Sequence, residues 1–129
     1  MEVGTGSGYQ GAILARLIKH VFTVERIDEL SRQARKRFRV AGLRNVRAKQ
    51  ADGHEGWPQN APYGGILVTA ATAKVPDALF AQLEEGGVLI APVGQEGRQQ
   101  LTKYVRHGDK LERIDLGAVV FVPLLPGLN

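Results

Sequence analysis

Three glycines at alternate positions near the start of the chain form the segment with the clearest chemical meaning. Gly4, Gly6 and Gly8 follow an acidic residue, Glu2, and a helical apolar pattern begins at about Tyr9. Because glycine has no Cβ atom and tolerates positive φ, such a turn lets the backbone lie directly against a ligand. The helix that follows offers unpaired N–H groups to polar ligand atoms. The spacing therefore predicts a loop that cradles a nucleoside cofactor.

Two cofactor classes fit this loop on pattern alone. Starting at Gly6, the sequence matches the G-x-G-x-x-G pattern of dinucleotide-binding loops, with Glu25 near the position of the acidic residue that binds a ribose. Starting at Glu2, the turn falls at Gly4, directly after the apolar residue Val3. This second register also accounts for the acidic residue ahead of the first glycine. It favours S-adenosylmethionine, and a dinucleotide such as NAD remains the alternative.

Segments with helical and strand periodicity alternate along the chain. The predicted helices cover about 9–20, 27–41 and 75–83. The predicted strands cover 21–24, 46–49, 66–70 and 88–93, while 101–106 and 118–122 form a final hairpin-like pair. Parallel strands joined by helices require crossovers that place the helices over the sheet. This order predicts one α/β domain over residues 1–129, with a mostly parallel sheet, helices on both faces and a C-terminal antiparallel strand pair.

Polar residues follow several of the predicted strands at the same edge of the sheet. Glu25 follows the second strand, Asp52 follows the third, and Thr69 lies at the end of the fourth. Ligands on open α/β sheets bind outside the carboxyl ends of the strands, near the point where the strand order reverses. These side chains should therefore converge beside the glycine loop, which follows the first strand.

Composition narrows the possible partners. The 129 residues are 43% hydrophobic and 23% charged and contain no cysteine. No apolar run approaches the ~18 residues that span a membrane, and no segment has the layout of a signal peptide. The chain is therefore expected to be cytoplasmic, without a membrane partner. The three histidines have no carboxylate at ligand spacing, so no metal site is predicted.

Positive charge is concentrated in one stretch of the chain. Eight of the seventeen Lys and Arg residues lie between Arg32 and Lys49, and we call this stretch the basic stripe. Nucleic-acid recognition would favour aromatic residues among the charges, but only Phe38 is present, on the apolar side of the helix. The basic stripe is therefore interpreted as a solvated helix face, and no nucleic-acid partner is predicted.

Several motifs together resemble one enzyme family, the protein-L-isoaspartate O-methyltransferases. They are Glu2-Val3-Gly4-Thr5-Gly6-Ser7-Gly8-Tyr9-Gln10, Val24-Glu25-Arg26, Ala51-Asp52-Gly53 followed by Trp57, Val68-Thr69-Ala70-Ala71, Leu83-Glu84-Glu85-Gly86-Gly87, Pro92-Val93-Gly94 and Phe121-Val122-Pro123-Leu124. These segments occur in the family's order and extend over nearly the whole chain. The resemblance implies a Rossmann-like class I methyltransferase fold.

The resemblance also implies an activity, a cofactor and roles for individual residues. A methyl group would pass from S-adenosylmethionine to the free carboxylate of an isoaspartyl residue in a damaged peptide or protein, leaving S-adenosylhomocysteine. By this resemblance, Gly4, Gly6 and Gly8 line the methionine portion of the cofactor, and Glu25 binds the ribose hydroxyls. Asp52 with Gly53 would hold the adenine edge. The cofactor-binding residues expected in all are Glu2, Gly4, Thr5, Gly6, Ser7, Gly8, Glu25, Arg26, Asp52, Gly53 and Thr69.

The sequence departs from the family pattern in ways that bear on the acceptor site. Family members begin with an N-terminal region that carries a Thr-Ile-Ser motif, whose serine contacts the substrate carboxylate, and with the first half of the central strand. Neither precedes Glu2 here, so no catalytic residue is assigned, and a truncated chain with little methyl transfer and a tendency to self-associate is expected. Gly64 and Ala51 also differ from the usual residues. Two alternatives remain, a cofactor-binding module without turnover and a nucleic-acid-associated methyltransferase-like domain that uses the basic stripe.

Overall fold

The computed structural model describes residues 1–129, which form seven strands and three α-helices. The strands are β1 (Glu2–Val3), β2 (Val21–Glu25), β3 (Val46–Gln50), β4 (Tyr63–Val68), β5 (Leu83–Gln95), β6 (Arg98–His107) and β7 (Lys110–Val119). The helices are α1 (Tyr9–Leu17), α2 (Asp28–Val40) and α3 (Asp77–Ala81), and short 3-10 turns occupy Gly53–Glu55 and Pro58–Asn60. No helix combines the length and the apolarity that a membrane span requires.

All seven strands belong to one sheet with the order β3-β2-β1-β4-β5-β6-β7. The first five strands in this order are parallel, and β6 and β7 add to the β5 edge in antiparallel orientation. The predicted mostly parallel sheet with a C-terminal antiparallel pair is therefore confirmed. β1 contributes only Glu2 and Val3, and it pairs with β2 on one side and β4 on the other. The strand order reverses at β1, which makes its carboxyl end the switch point of the sheet.

The helices cover the sheet as the crossover rule requires. The connections through α1 and α2 step in the same direction along the sheet, so right-handed crossovers place both helices on one face. The connection through α3 steps in the opposite direction, which places this helix on the other face. In α2, Ser31, Ala34 and Phe38 are buried at helical spacing, whereas every Lys and Arg of the helix is exposed. The part of the basic stripe that lies on α2 therefore faces solvent.

The last strand differs from its prediction. The expected partner of β6 was 118–122, but β7 occupies Lys110–Val119 and pairs with β6 from Val119 opposite Gln99 to Lys110 opposite His107. Gly108, at φ 63°, provides the tight turn between them. Because β7 is an edge strand with nearly all of its residues exposed, its sequence carries no buried apolar run by which it could be recognised. The prediction for the second member of this pair was wrong.

Two helices are also shorter than predicted. Helix α1 ends at Leu17 rather than His20, and the Asn45 side chain amide donates to the carbonyl oxygens of Ala15 and Ile18 there. This side chain satisfies carbonyl groups that a longer helix would have used. Helix α3 ends at Ala81, because β5 begins at Leu83 and extends to Gln95 rather than covering only 88–93.

The C-terminal segment Val122–Asn129 leaves the sheet and returns across the carboxyl ends of the strands. The Ala71 N–H donates to the Val122 carbonyl at 2.6 Å, and the Leu124 N–H donates to the Ala71 carbonyl at 2.7 Å. Farther on, the Asn129 N–H donates to the carbonyl of Arg26 at 2.9 Å. We call this segment the C-terminal strap, and it crosses from the end of β4 to the end of β2.

Asp52 anchors the middle of the C-terminal strap. Its Oδ2 accepts the Gly127 N–H at 3.0 Å, and its Oδ1 accepts the backbone N–H of His54 at 2.9 Å and lies 3.0 Å from His54 Nδ1. Partial burial by itself would raise the pKa of Asp52, but these hydrogen bonds from Gly127 and His54 outweigh it and hold the pKa below its usual value. The ionised carboxylate is therefore the form that binds the strap.

Apolar side chains are exposed on α1 and along the chain beyond β7. Tyr9 and Leu17 are 75% and 73% exposed, and Val120 and Val122 are each 72% exposed. Exposed apolar patches favour association between molecules. The self-association expected from the sequence stays a prediction, which light scattering can test.

The buried core between the sheet and α3 should dominate stability. Leu79 on α3 is fully buried among the core residues, whereas Leu116 on β7 is about half exposed. Leu79→Ala should lower the free energy of unfolding by about 2–5 kcal/mol, because it removes buried methyl groups and leaves a cavity. Leu116→Ala, the matched control, should change it by about 0.5 kcal/mol or less. Urea unfolding followed by circular dichroism measures both, and equal effects would contradict the assigned core.

The attachment of the C-terminal strap should depend on pH through Asp52. Because the folded pKa lies below the unfolded value of ~3.9, the stabilising contribution is present above that value. It is lost as the pH falls through the lower folded pKa. The Gly127 amide resonance should therefore shift with a midpoint below ~3.9 in an NMR titration, and Asp52→Asn should abolish the shift. A midpoint at or above ~3.9 would contradict this role for Asp52.

Candidate functional site

A cavity of about 360 Å³ opens at the switch point of the sheet, where the carboxyl ends of β1, β2 and β4 meet. Fifteen residues line it: Val3, Gly4, Gly6, Val24, Glu25, Arg26, Ile27, Leu30, Gly53, Thr69, Ala70, Val122, Pro123, Leu124 and Leu125. The lining contains one carboxylate, one guanidinium and a majority of apolar groups. Such a mixture is typical of pockets for small organic ligands.

The glycine loop forms one wall of the cavity. Gly4, Gly6 and Gly8 all have positive φ, at 99°, 54° and 88°, which side chains rarely tolerate. A Cβ on Gly4 would lie 2.3 Å from the hydroxyl oxygen of Thr69, so the close approach of β4 requires glycine there. A Cβ on Gly6 would meet nothing within 4 Å. Gly6 therefore borders open space beside the cavity.

Glu25 joins the end of β2 to the glycine loop. Its Oε1 accepts the Gly6 N–H at 2.9 Å, and its Oε2 accepts the Ile27 N–H at 3.1 Å. A carboxylate has about four lone-pair sites, so each oxygen keeps acceptor capacity for another donor. Glu25 therefore combines a structural contact with the ability to accept hydrogen bonds from a pair of hydroxyl groups.

Glu2 and Thr5 lie beneath the loop rather than in the cavity. The Thr23 hydroxyl donates to Glu2 Oε1 at 2.7 Å and lies 2.6 Å from the hydroxyl of Thr5. All three residues are buried, and Glu2 Oε2 has no hydrogen-bond partner. Burial raises the pKa of Glu2, although the hydrogen bond from Thr23 opposes this effect. These positions indicate that the pair supports the base of the loop, and a direct cofactor contact stays a prediction for both.

Ser7 and Gly8 are also absent from the cavity lining. Gly8 packs on the ring of Phe38, whose nearest atoms would lie 3.2 Å from a Cβ at this position. Any substituent there would meet α2 rather than a ligand. Direct contact between these two residues and the cofactor therefore stays a prediction.

Arg26 and Gly53 both line the cavity, and they follow β2 and β3 along the chain. The Nε of Arg26 is buried and has no hydrogen-bond partner. Unsatisfied buried donors are rare in proteins, and a polar ligand group could complete this one. A Cβ on Gly53 would lie 2.5 Å from Val3 Cγ1, so this glycine is required by packing against β1.

Asp52 does not line the cavity. Its two oxygens are engaged by His54 and by Gly127 of the C-terminal strap. The strap shapes the cavity wall, so Asp52 acts on the cavity indirectly. The predicted contact with an adenine edge stays a prediction.

Sequence reasoning missed the apolar side of the cavity. Val122, Pro123, Leu124 and Leu125 of the C-terminal strap form this wall, together with Ile27 and Leu30. The Phe121–Leu124 motif contributed to the family resemblance, but nothing local connects it with the glycine loop. The connection depends on the backbone pairing of Ala71 with Val122 and Leu124, which is remote in sequence.

Comparisons with known proteins agree with this fold. A family model described as protein-L-isoaspartate(D-aspartate) O-methyltransferase matches residues 1–128. A protein-L-isoaspartate O-methyltransferase from Shewanella sp. (strain ANA-3) is 54% identical over 127 residues, which are 98% of this chain and 60% of the relative. The chain thus spans about 60% of the length of the curated relatives it matches.

Two solved structures extend the comparison. A structure of a protein-L-isoaspartate O-methyltransferase superposes with a TM-score of 0.92 at 29% identity. The superposition covers 98% of this chain and 42% of the chain in that structure. A Plasmodium falciparum protein described as a protein-L-isoaspartate O-methyltransferase, solved in complex with S-adenosyl-L-homocysteine, superposes with a TM-score of 0.79 at 22% identity. This superposition covers 96% of this chain and 64% of the Plasmodium chain.

The family resemblance and the class I methyltransferase fold are therefore confirmed. The match includes the glycine loop, Glu25 and the part of the C-terminal strap that lines the cavity. The chain belongs to the protein-L-isoaspartate O-methyltransferase family.

Proposed function

We propose that the cavity binds S-adenosylmethionine and that the protein transfers the methyl group to the free carboxylate of isoaspartyl residues. The observation that carries this proposal is the placement of the Glu25 carboxylate directly beside the glycine loop, at the switch point of the sheet. The family match supports the reaction, and the S-adenosyl-L-homocysteine complex of the Plasmodium protein supports the cofactor.

The residues around the cavity fit this cofactor. A volume of about 360 Å³ lies within the usual range of ~300–1,000 Å³ for small-ligand sites. Gly6 leaves room beside the loop for the methionine portion, and Glu25 offers acceptors to the two ribose hydroxyls. The buried Nε of Arg26 offers an unused donor, while the apolar wall of the C-terminal strap suits the faces of a purine ring.

The chemistry asks little of the protein beyond alignment. The cofactor, when bound, supplies a methyl group activated by a sulfonium. The acceptor carboxylate is ionised at neutral pH, since carboxylic acids titrate near pH ~4, so no side chain has to remove a proton. The glycine loop and Glu25 would fix the direction of the cofactor, and the apolar strap would exclude water from one side. Alignment of two reactants can lower the activation free energy by roughly 7–11 kcal/mol.

The role of Asp52 in this scheme is to hold the C-terminal strap against the cavity. The Asp52–Gly127 hydrogen bond fixes the strap where Leu124 and Leu125 line the wall. Contact of Asp52 and Gly53 with the adenine edge is a further part of the proposal. Thr69, whose hydroxyl lies 2.8 Å from the Gly4 carbonyl, would keep the loop close to β4.

Glu25→Ala should weaken binding of S-adenosylhomocysteine by about 1.5–3 kcal/mol per lost ribose hydrogen bond, because the acceptor is charged. Glu29→Ala removes the same charge from an exposed position on α2 and is the matched control. In isothermal titration calorimetry, the control should bind S-adenosylhomocysteine with nearly the affinity of the unaltered chain. NAD should show no binding to the unaltered chain. Binding of NAD, or equal affinity in Glu25→Ala, would contradict the proposed cofactor site.

Methyl transfer should distinguish isoaspartyl from ordinary aspartyl peptides. With cofactor labelled in the methyl group, a peptide containing isoaspartate should gain more base-labile label than the same peptide with aspartate. The Shewanella relative serves as the positive control, and the rate of this chain is expected to be lower, as anticipated from its sequence. Equal labelling of both peptides would contradict the substrate assignment. Tight binding of S-adenosylhomocysteine without any labelling would favour a cofactor-binding module without turnover.

A further inference from the structure

A chain of hydrogen bonds runs through the glycine loop from one side to the other. At one end, the Gly6 N–H donates to Glu25 Oε1 at 2.9 Å. In the middle, the Gly8 N–H donates to the Thr5 carbonyl at 3.0 Å. At the other end, Arg37 Nη1 donates to the Ser7 carbonyl at 2.7 Å. The Thr5–Gly6 and Ser7–Gly8 peptide groups are therefore each held at both their oxygen and their nitrogen.

Arg37 and Phe38 bring α2 against this loop from two directions. The Phe38 ring lies beneath the loop, where its nearest atoms would be 3.2 Å from a Cβ on either Gly8 or Gly11. Arg37 is exposed and reaches the Ser7 carbonyl from outside. Because Phe38 is buried and fixes the last turns of α2, the guanidinium of Arg37 is held close to the loop.

Two other cations of α2 form side-chain contacts, and both contacts are with residues of the same helix. Arg32 pairs with Asp28 one turn earlier, and Arg35 donates to the Ser31 hydroxyl. Arg37 alone among the residues of α2 donates a side-chain hydrogen bond to the glycine loop. One member of the basic stripe thus has a contact that a solvated helix face does not require.

We propose that Arg37 is a positioning residue for the glycine loop. It acts through the Ser7–Gly8 and Thr5–Gly6 peptide groups to fix the positions of Gly6 and Glu25. Gly6 and Gly8 both have positive φ, and glycine crosses between backbone conformations at little steric cost. Without a donor on the Ser7 carbonyl, the Ser7–Gly8 peptide group is held only through the Gly8 N–H, and that hydrogen bond to Thr5 should weaken. Hydrogen bonds in a chain polarise one another, and the charged donor at its end strengthens the series.

This inference rests on the proposed function, since the loop is taken to hold S-adenosylmethionine. Arg37 is not among the residues that line the cavity, so it would not touch the cofactor. Its effect would reach the ligand through the position of Gly6 and through the orientation of the Glu25 carboxylate. Loss of Arg37 should therefore change the loop in the free chain and the affinity for ligand together.

The test compares Arg37→Met, which keeps the apolar stem and removes the donors, with Arg37→Lys and with Lys36→Met. Lys36 is the neighbouring exposed cation on α2, so its replacement removes the same charge. Two measurements are made on each variant. NMR gives the amide exchange rates of Gly6 and Gly8 in the free chain, and calorimetry gives the affinity for S-adenosylhomocysteine.

Arg37→Met should speed exchange of both amides and weaken binding about five-fold, equivalent to ~1 kcal/mol. Arg37→Lys should recover part of both effects because it keeps a charged donor. Lys36→Met should resemble the unaltered chain, and the melting temperatures of all three variants should agree. A purely structural role would instead lower the melting temperature of Arg37→Met and leave the affinity of the folded protein unchanged.

Unchanged exchange at Gly6 and Gly8 in Arg37→Met would overturn the proposal, as would faster exchange with unchanged affinity. Weaker binding to the same extent in Lys36→Met would also overturn it, because the effect would then be one of net charge. Failure of the unaltered chain to bind S-adenosylhomocysteine would refute the proposed function instead. The exchange rates of the free chain would still decide whether Arg37 holds the loop.

Discussion

The hydrogen bond from the Gly6 N–H to Glu25 is the contact on which the cavity depends most directly. It joins the loop after β1 to the end of β2, directly beside the switch point of the sheet. A carboxylate at this place serves both as an acceptor for the loop and as an acceptor for a ligand. The buried Glu2, Thr23 and Thr5 then support the same loop from below. Neighbouring carboxylates thus have separate tasks, which their burial and partners determine.

Parts of this arrangement that depend on local sequence could be predicted. The alternate glycines, the position of Glu25 after a β-branched run, and the order of strands and helices all follow from spacing and periodicity. The predicted convergence of Glu25 and Thr69 beside the loop follows from the parallel sheet, because its carboxyl ends share one edge. Both residues line the cavity in the structure. Roles that depend on a bound ligand remain predictions.

Parts that depend on contacts remote in sequence could not be predicted. The C-terminal strap is held at the cavity by backbone hydrogen bonds to Ala71, which lies more than fifty residues before Leu124. No sequence pattern in either segment predicts these hydrogen bonds. For the same reason the sequence indicates a ligand-binding role for Asp52 but not the hydrogen bond that its carboxylate accepts from Gly127. The β7 strand is not evident from sequence because nearly all of its residues are exposed, so its apolar side chains mark no buried face.

The path of the C-terminal strap has a practical consequence for handling this protein. Asn129 exchanges backbone hydrogen bonds with Arg26 and Asp28, so the strap ends at the rim of the cavity. A small fluorophore attached at this position would lie next to Arg26, which lines the cavity, so its emission should respond when a ligand enters.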